Sequence, residues 1–218
     1  MNSQELQQTF IKNKEQYSEA LRLRIYRSIS WLKKAEASEA DDDIRFITLW
    51  IAFNAAYAKE MEAGMQLSDR TAFRQFLHTV CRLDKEQRIY RLVWETFSGS
   101  IRLLLENRYV FQPFWNFHNG KISESVWEED FARAKQKAKT ALANKDTNGV
   151  LLIVFDRLYT LRNQILHGGA TYNSSANRKQ LRDGCAILQQ CVPLILAVML
   201  DNPDEDWGKP FYPYVKEE

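Results

Sequence analysis

The sequence predicts an all-α protein, on three observations. Its 218 residues include only 8 Gly and 5 Pro, which favours long helices with few connections. Apolar residues recur three and four positions apart along most of the chain, the period of an amphipathic helix. No series of short alternating strands appears. Hydrophobic residues make up 45% and charged residues 27%, a globular balance. A chain of this length can bury on the order of 70% of its unfolded surface in one core. One helical domain over residues 1–218 is expected, with its core at about 20–200 and an extended tail at 202–218.

The first helix is expected from Gln4 to about Lys34, its apolar side carrying Leu6, Phe10, Tyr17, Leu21, Ile25 and Ile29. Asp41, Asp42 and Asp43 give the next helix a negative start and candidate caps. Phe46 to Ala58 is apolar almost all round, as a central buried helix would be. Ser68 and Asp69 open a helix toward Val80, and Asp84 opens another that runs to about Glu106. Tyr109 to Gly120 interrupts the pattern, with Pro113 and Asn119-Gly120 as turn signals. Ser125 then caps a Lys- and Ala-rich helix up to Asn144, and Asn148-Gly149 leads into VLLIVFDRLYTLRNQILH. Asn173 or Ser174 caps the last helix, which ends near Leu200 and is expected to kink at Pro193. From Asn202 onward, three prolines and the aromatics Trp207, Phe211 and Tyr212 suggest an extended surface tail.

A net charge of +2 does not mark a nucleic-acid binder by composition, so any such contact must come from local patches. Cys81, Cys185 and Cys191 form no CxxC pair, which suits thiols in a reducing cytosol. The N-terminus lacks a basic start followed by an apolar stretch. The longest apolar run, Val192 to Leu200, contains Pro193 and falls short of the ~20 residues a membrane span needs. A cytoplasmic protein without membrane contact is the expectation. His78, His118 and His167 lie far apart with no ligand spacing, so no metal or other cofactor is expected.

The segment Leu161-Arg162-Asn163-Gln164-Ile165-Leu166-His167-Gly168-Gly169 carries the chemistry. Arginine is a permanent cation whose forked donors match phosphate oxygens. Histidine can trade a proton near neutral pH. On a helical wheel Leu151, Val154, Phe155, Leu158, Leu161 and Ile165 form one apolar stripe, and Arg162 falls inside it. A charge there is costly unless it is paired or faces a wet cleft. His167 lies about 140° round an ideal helix from Arg162, so the two converge only if the chain turns at the glycine pair or a second copy supplies one of them. Ordinary structural roles compete: Arg162 paired with a core carboxylate, and His167 capping its own helix end before a glycine.

With the apolar LWIAFNAAYA helix before it in an all-α chain, the RNQILHG stretch resembles the HEPN superfamily. That family is built on a helical bundle and includes many metal-independent RNases with an R-x4-6-H motif. Arg162 and His167 match the motif, and Asn163 matches the polar residue that often follows its arginine. The resemblance implies an endoribonuclease that binds RNA and works as a homodimer, in a bacterial stress, toxin–antitoxin or phage-defence setting with a neutralising or regulatory protein partner. Some toxin members carry a tyrosine two residues after the histidine, where this chain has Gly169. Other relatives are catalytically silent helical modules that bind protein or nucleotide, which is the alternative reading.

Three further features have two readings each, and a fourth has one. Asn54, the lone polar residue from Trp50 to Tyr57, either reaches the substrate cleft or makes a buried interhelical hydrogen bond. Trp115 and its aromatic neighbours either stack on bases or fill an apolar gap. Arg22, Arg24, Arg27, Lys33 and Lys34 either guide phosphates or form a solvated helix face. Arg74 and His78 sit one turn apart without a glycine stop and read as a solvated face.

Overall fold

The computed structural model describes residues 1–59, 69–96, 98–175 and 177–215. Among the described residues the chain forms ten α-helices and no strand, so its class is all-α and its architecture a helical bundle. The helices are α1 (Ser3–Lys12), α2 (Glu19–Glu36), α3 (Asp42–Tyr57), α4 (Asp69–Leu83), α5 (Arg88–Arg91), α6 (Ser98–Glu106), α7 (Gln112–His118), α8 (Glu124–Ala143), α9 (Thr147–Leu166) and α10 (Arg178–Asp201). The chain divides into two compact units, Met1–Arg88 with Cys185–Glu218, and Ile89–Gly184.

In the first unit, the single helix expected over Gln4–Lys34 is two. Asn2 starts α1 with a reciprocal cap: its side chain accepts from the Glu5 N–H at 2.9 Å, while the Glu5 carboxylate accepts from the Asn2 N–H at 3.0 Å. After a 3₁₀ turn at Lys14–Gln16, the Ser18 hydroxyl caps α2 by accepting from Leu21 N–H at 3.2 Å. The apolar stripe stays in phase across the break, because Tyr17 is buried and stacks on Phe10. The chain doubles back: the Ser3 N–H and hydroxyl both donate to the Glu36 carboxylate at the far end of α2.

Asp41 caps α3 as expected, accepting from Ile44 N–H at 3.0 Å. The helix buries Phe46, Leu49, Trp50, Ala52, Phe53, Ala56 and Tyr57. Sealing each large side chain stabilises the unit by about 1.5–3 kcal/mol, which makes α3 its centre. α2 packs along α3, and the Ser28 hydroxyl donates to Ala52 O at 2.9 Å. Arg24 is the surprise on α2. It is fully buried rather than solvated, and donates to Ala56 O (3.0 Å), Ala58 O (2.8 Å), Gly208 O (3.2 Å) and Lys209 O (2.9 Å). Its guanidinium thus satisfies carbonyls orphaned at the end of α3 and binds the tail to them. Burial, with a smaller push from Arg27, pulls its pKa down to about 10, so it is still a cation at neutral pH.

The helix opener Ser68 lies outside the described residues; α4 begins at Asp69 and buries Phe73, Leu77 and Val80. The tail is anchored: Trp207 is buried, meets the Phe76 ring at 5.8 Å and donates from Nε1 to Asn202 O at 3.0 Å. α10 continues through Pro193 to Asp201. It is long and apolar enough to cross a membrane by length and composition, and 72% of that apolar window is buried within the protein.

The helix expected from Asp84 to Glu106 begins at Arg88, the last residue of the first unit's leading segment, whose N–H the Asp84 carboxylate accepts; in the second unit a π turn at Leu92–Thr96 separates α5 from α6. The interruption at Tyr109–Gly120 is largely helical, a 3₁₀ turn at Arg108–Val110 followed by α7. α8 begins after Ser123, two residues before the expected cap. Asp146 caps α9 by accepting from Gly149 N–H at 2.9 Å, so Asn148-Gly149 lies in its first turn. α10 starts at Arg178, later than Asn173 or Ser174 would place it. Asn173 and Asn177 both take left-handed backbone angles, and the Ser174 carbonyl is engaged by the Arg178 side chain.

Candidate active site

α9 is built to carry its motif at the point where packing thins. Its buried face holds Leu151, Val154, Phe155, Leu158 and Leu161 of the expected stripe, and also Arg157, between the rings of Phe111 (4.3 Å) and Phe131 (5.8 Å). One turn later Ile165 is only half-buried and Leu166 is 48% exposed. Arg162 therefore sits in the apolar stripe without being sealed inside it.

The helix ends in a Schellman motif. Gly168 N–H donates to Ile165 O (3.2 Å) and Gly169 N–H to Gln164 O (2.7 Å). Gly168 has φ +71°, a left-handed angle that favours glycine, and a Cβ on Gly169 would come within 2.9 Å of Gln164 O. Both glycines are thus required by the turn. His167 is the C-cap: its N–H donates to Asn163 O at 3.0 Å and its ring is exposed. Among the described residues that ring makes no hydrogen bond.

Arg162 is half-buried. Its Nη1 donates to Asn163 Oδ1 at 2.8 Å and its guanidinium lies 5.7 Å from the Tyr159 ring centre. Among the described residues it has no carboxylate partner, and its buried Nε has no hydrogen-bond acceptor. Asn163 joins the pair, its side chain accepting from Arg162 and its main chain from His167. The Arg162 and His167 side chains themselves make no hydrogen bond to each other.

Trp115, on α7, is half-buried and donates from Nε1 to Tyr109 O at 2.8 Å. The same carbonyl accepts from Gln164 Nε2 at 2.6 Å, and Asn177 Nδ2 holds the Gln164 oxygen at 3.1 Å. The aromatic segment is thereby tied to the last turn of α9. Tyr109 opens the aromatic segment expected either to stack on bases or to fill an apolar gap, but nothing in the sequence singled out Gln164 or Arg108; the Tyr109–Gln164 bond spans 55 positions and leaves no local signal. Asn54 lies on α3 of the first unit, half-buried, and its Oδ1 is buried without a partner among the described residues, so the expected interhelical bond is not formed there. His78 is exposed on α4. No group of three or more His, Cys, Asp or Glu side chains gathers as metal ligands among the described residues. Comparison of the chain with protein-family models, curated proteins and solved structures returns no match.

Proposed function

We propose that the chain is a metal-independent endoribonuclease of the HEPN type, with Arg162 and His167 as its catalytic residues and Asn163 in support. One observation carries the reading. Arg162 is a cation in an apolar stripe with no carboxylate to neutralise it among the described residues, held by Asn163 and Tyr159 one and a half turns from an exposed histidine. A structural arginine at such a place would have its donors satisfied by carboxylates or carbonyls, as those of Arg24 are.

The chemistry follows from the groups. Neutral His167 takes the proton of a ribose 2′-OH as that oxygen attacks phosphorus, or protonated His167 gives its proton to the departing 5′-oxygen. Arg162 donates to the non-bridging oxygens as charge builds on them. The P–O5′ bond breaks, leaving a 2′,3′-cyclic phosphate and a 5′-hydroxyl. A symmetric dimer would supply a second His167 for the other proton transfer. Exposed Leu166, beside His167, gives such a seam an apolar contact. In this reading the protein acts on cellular or phage RNA in the cytoplasm under the control of a protein partner.

The test is incubation of purified protein with mixed RNA in excess EDTA, beside H167A and R162A. Cleavage by the parent alone, with cyclic phosphate ends and no action on an all-deoxy strand, is the expected result. A second reading, a silent helical module binding protein or nucleotide, is favoured by one fact: four hollows among the described residues, lined in turn by Glu36, Arg88, Lys139 and Phe76, contain neither Arg162 nor His167. Three equally folded, equally inactive proteins would select it.

A further inference from the structure

The surface around Arg108 is built like a base-stacking platform. Arg108 is exposed, yet its guanidinium is held in place: it lies 5.2 Å from the Tyr109 ring centre and 5.5 Å from that of Phe114, and its Nη2 donates to the Tyr109 hydroxyl at 3.2 Å. Phe114 is buried and meets Tyr109 edge-on at 5.5 Å, which fixes the layer from below. Among the described residues Arg108 has no carboxylate partner, so its charge is left for something from outside. Tyr109 itself is 41% exposed. A planar cation held against two aromatic rings at an exposed position is suited to stack a nucleobase and to attract the phosphate beside it.

The place of this layer relates it to the motif. Tyr109 O accepts from Gln164 Nε2, and Gln164 is three residues before His167, about 4.5 Å along the helix axis. The platform is thus tied through Tyr109 to the last turn of α9, which leads from Arg162 to His167.

We infer that Arg108 and Tyr109 form a subsite that stacks an unpaired base of a single-stranded RNA, close to the bond being cut. The inference rests on the nuclease reading for its substrate, but it concerns binding and is tested without cleavage. The probe is a fluorescent single-stranded RNA with 2′-O-methyl groups throughout, which removes the attacking hydroxyl. Binding by anisotropy is compared for the parent, R108A, R108K and Y109A, all checked for unchanged thermal unfolding.

The expected result is a loss of about tenfold in affinity for R108A and Y109A, the scale of one stacked base. R108K should lose nearly as much as R108A, since lysine keeps the charge and lacks the plane. A strand with abasic sites should bind the parent more weakly and should no longer distinguish it from R108A. Parent affinity in R108A, full retention in R108K, or no binding of the strand by the parent overturns the platform. Cleavage of unmodified RNA in the same samples separates the two ideas. An inactive parent with the expected binding losses removes the nuclease and leaves the platform. An active parent with unchanged binding in R108K does the reverse.

Discussion

Arg24 in the first unit and Arg162 in the second both sit on apolar helix faces, and their surroundings differ in kind. Arg24 is fully buried and gives its donors to four main-chain carbonyls. Arg162 is half-buried, donates to one neighbouring amide and leaves Nε without an acceptor. A guanidinium whose donors all go to main-chain oxygens is part of the scaffold. One held by a ring and an amide has donors left over. Helical periodicity alone cannot tell these apart, because both positions read as a charge in a stripe.

Substitutions at the two places should separate activity from stability. The largest expected effect is on H167A, whose cleavage rate should fall by about 10²–10⁴-fold, the worth of a general acid or base, while its urea midpoint stays at the parent value. R162A should behave in the same way. R24M should give the opposite result: a loss of about 3 kcal/mol in urea unfolding, since several buried carbonyls lose their donor, with residual activity in proportion to folded protein. A stable R24M, or an R162A that unfolds early with its activity intact, would break the comparison.

The turn between scaffold and site gives a smaller, sharper test. Gly168→Ala forces a left-handed angle on a residue with a Cβ and should cost about 1 kcal/mol, less for Gly168→Asn. Cleavage should fall further than the stability loss explains, because the turn sets where His167 points. Finally, L166D should weaken self-association in sedimentation runs at micromolar concentration, and lower activity most in dilute protein. A parent that is monomeric throughout would remove the shared-cleft form of the proposal.

The parts of the fold legible in the sequence are those fixed by local rules. Asp41 and the apolar run behind it mark α3, and the stripe from Leu151 to Leu161 gives the buried face of α9. The glycine pair marks the helix end to the residue. The break between α1 and α2 escaped because the stripe stays in phase across Asn13–Ser18, so periodicity had nothing to register. The start of α10 escaped because several turn formers compete between Tyr172 and Asn177, and only the Arg178–Ser174 contact selects one. Arg24 read as solvated because its acceptors are carbonyls 32 to 185 positions away. Of the candidate site, Arg162, Asn163 and His167 were legible from the motif. The bond between Gln164 and Tyr109 was not, since it depends on where α7 and its preceding turn settle.

The carbonyl of Tyr109 has two lone pairs, and Trp115 and Gln164 use both. Two segments 55 positions apart in sequence therefore meet at one oxygen. In hydrogen-exchange terms, the Trp115 indole proton and the amides closing the α9 turn at His167, Gly168 and Gly169 should open as one unit with one protection factor. Substituting Gln164 by leucine would split that unit. A proton on a tryptophan ring thus becomes a clock for the opening of a histidine it never touches.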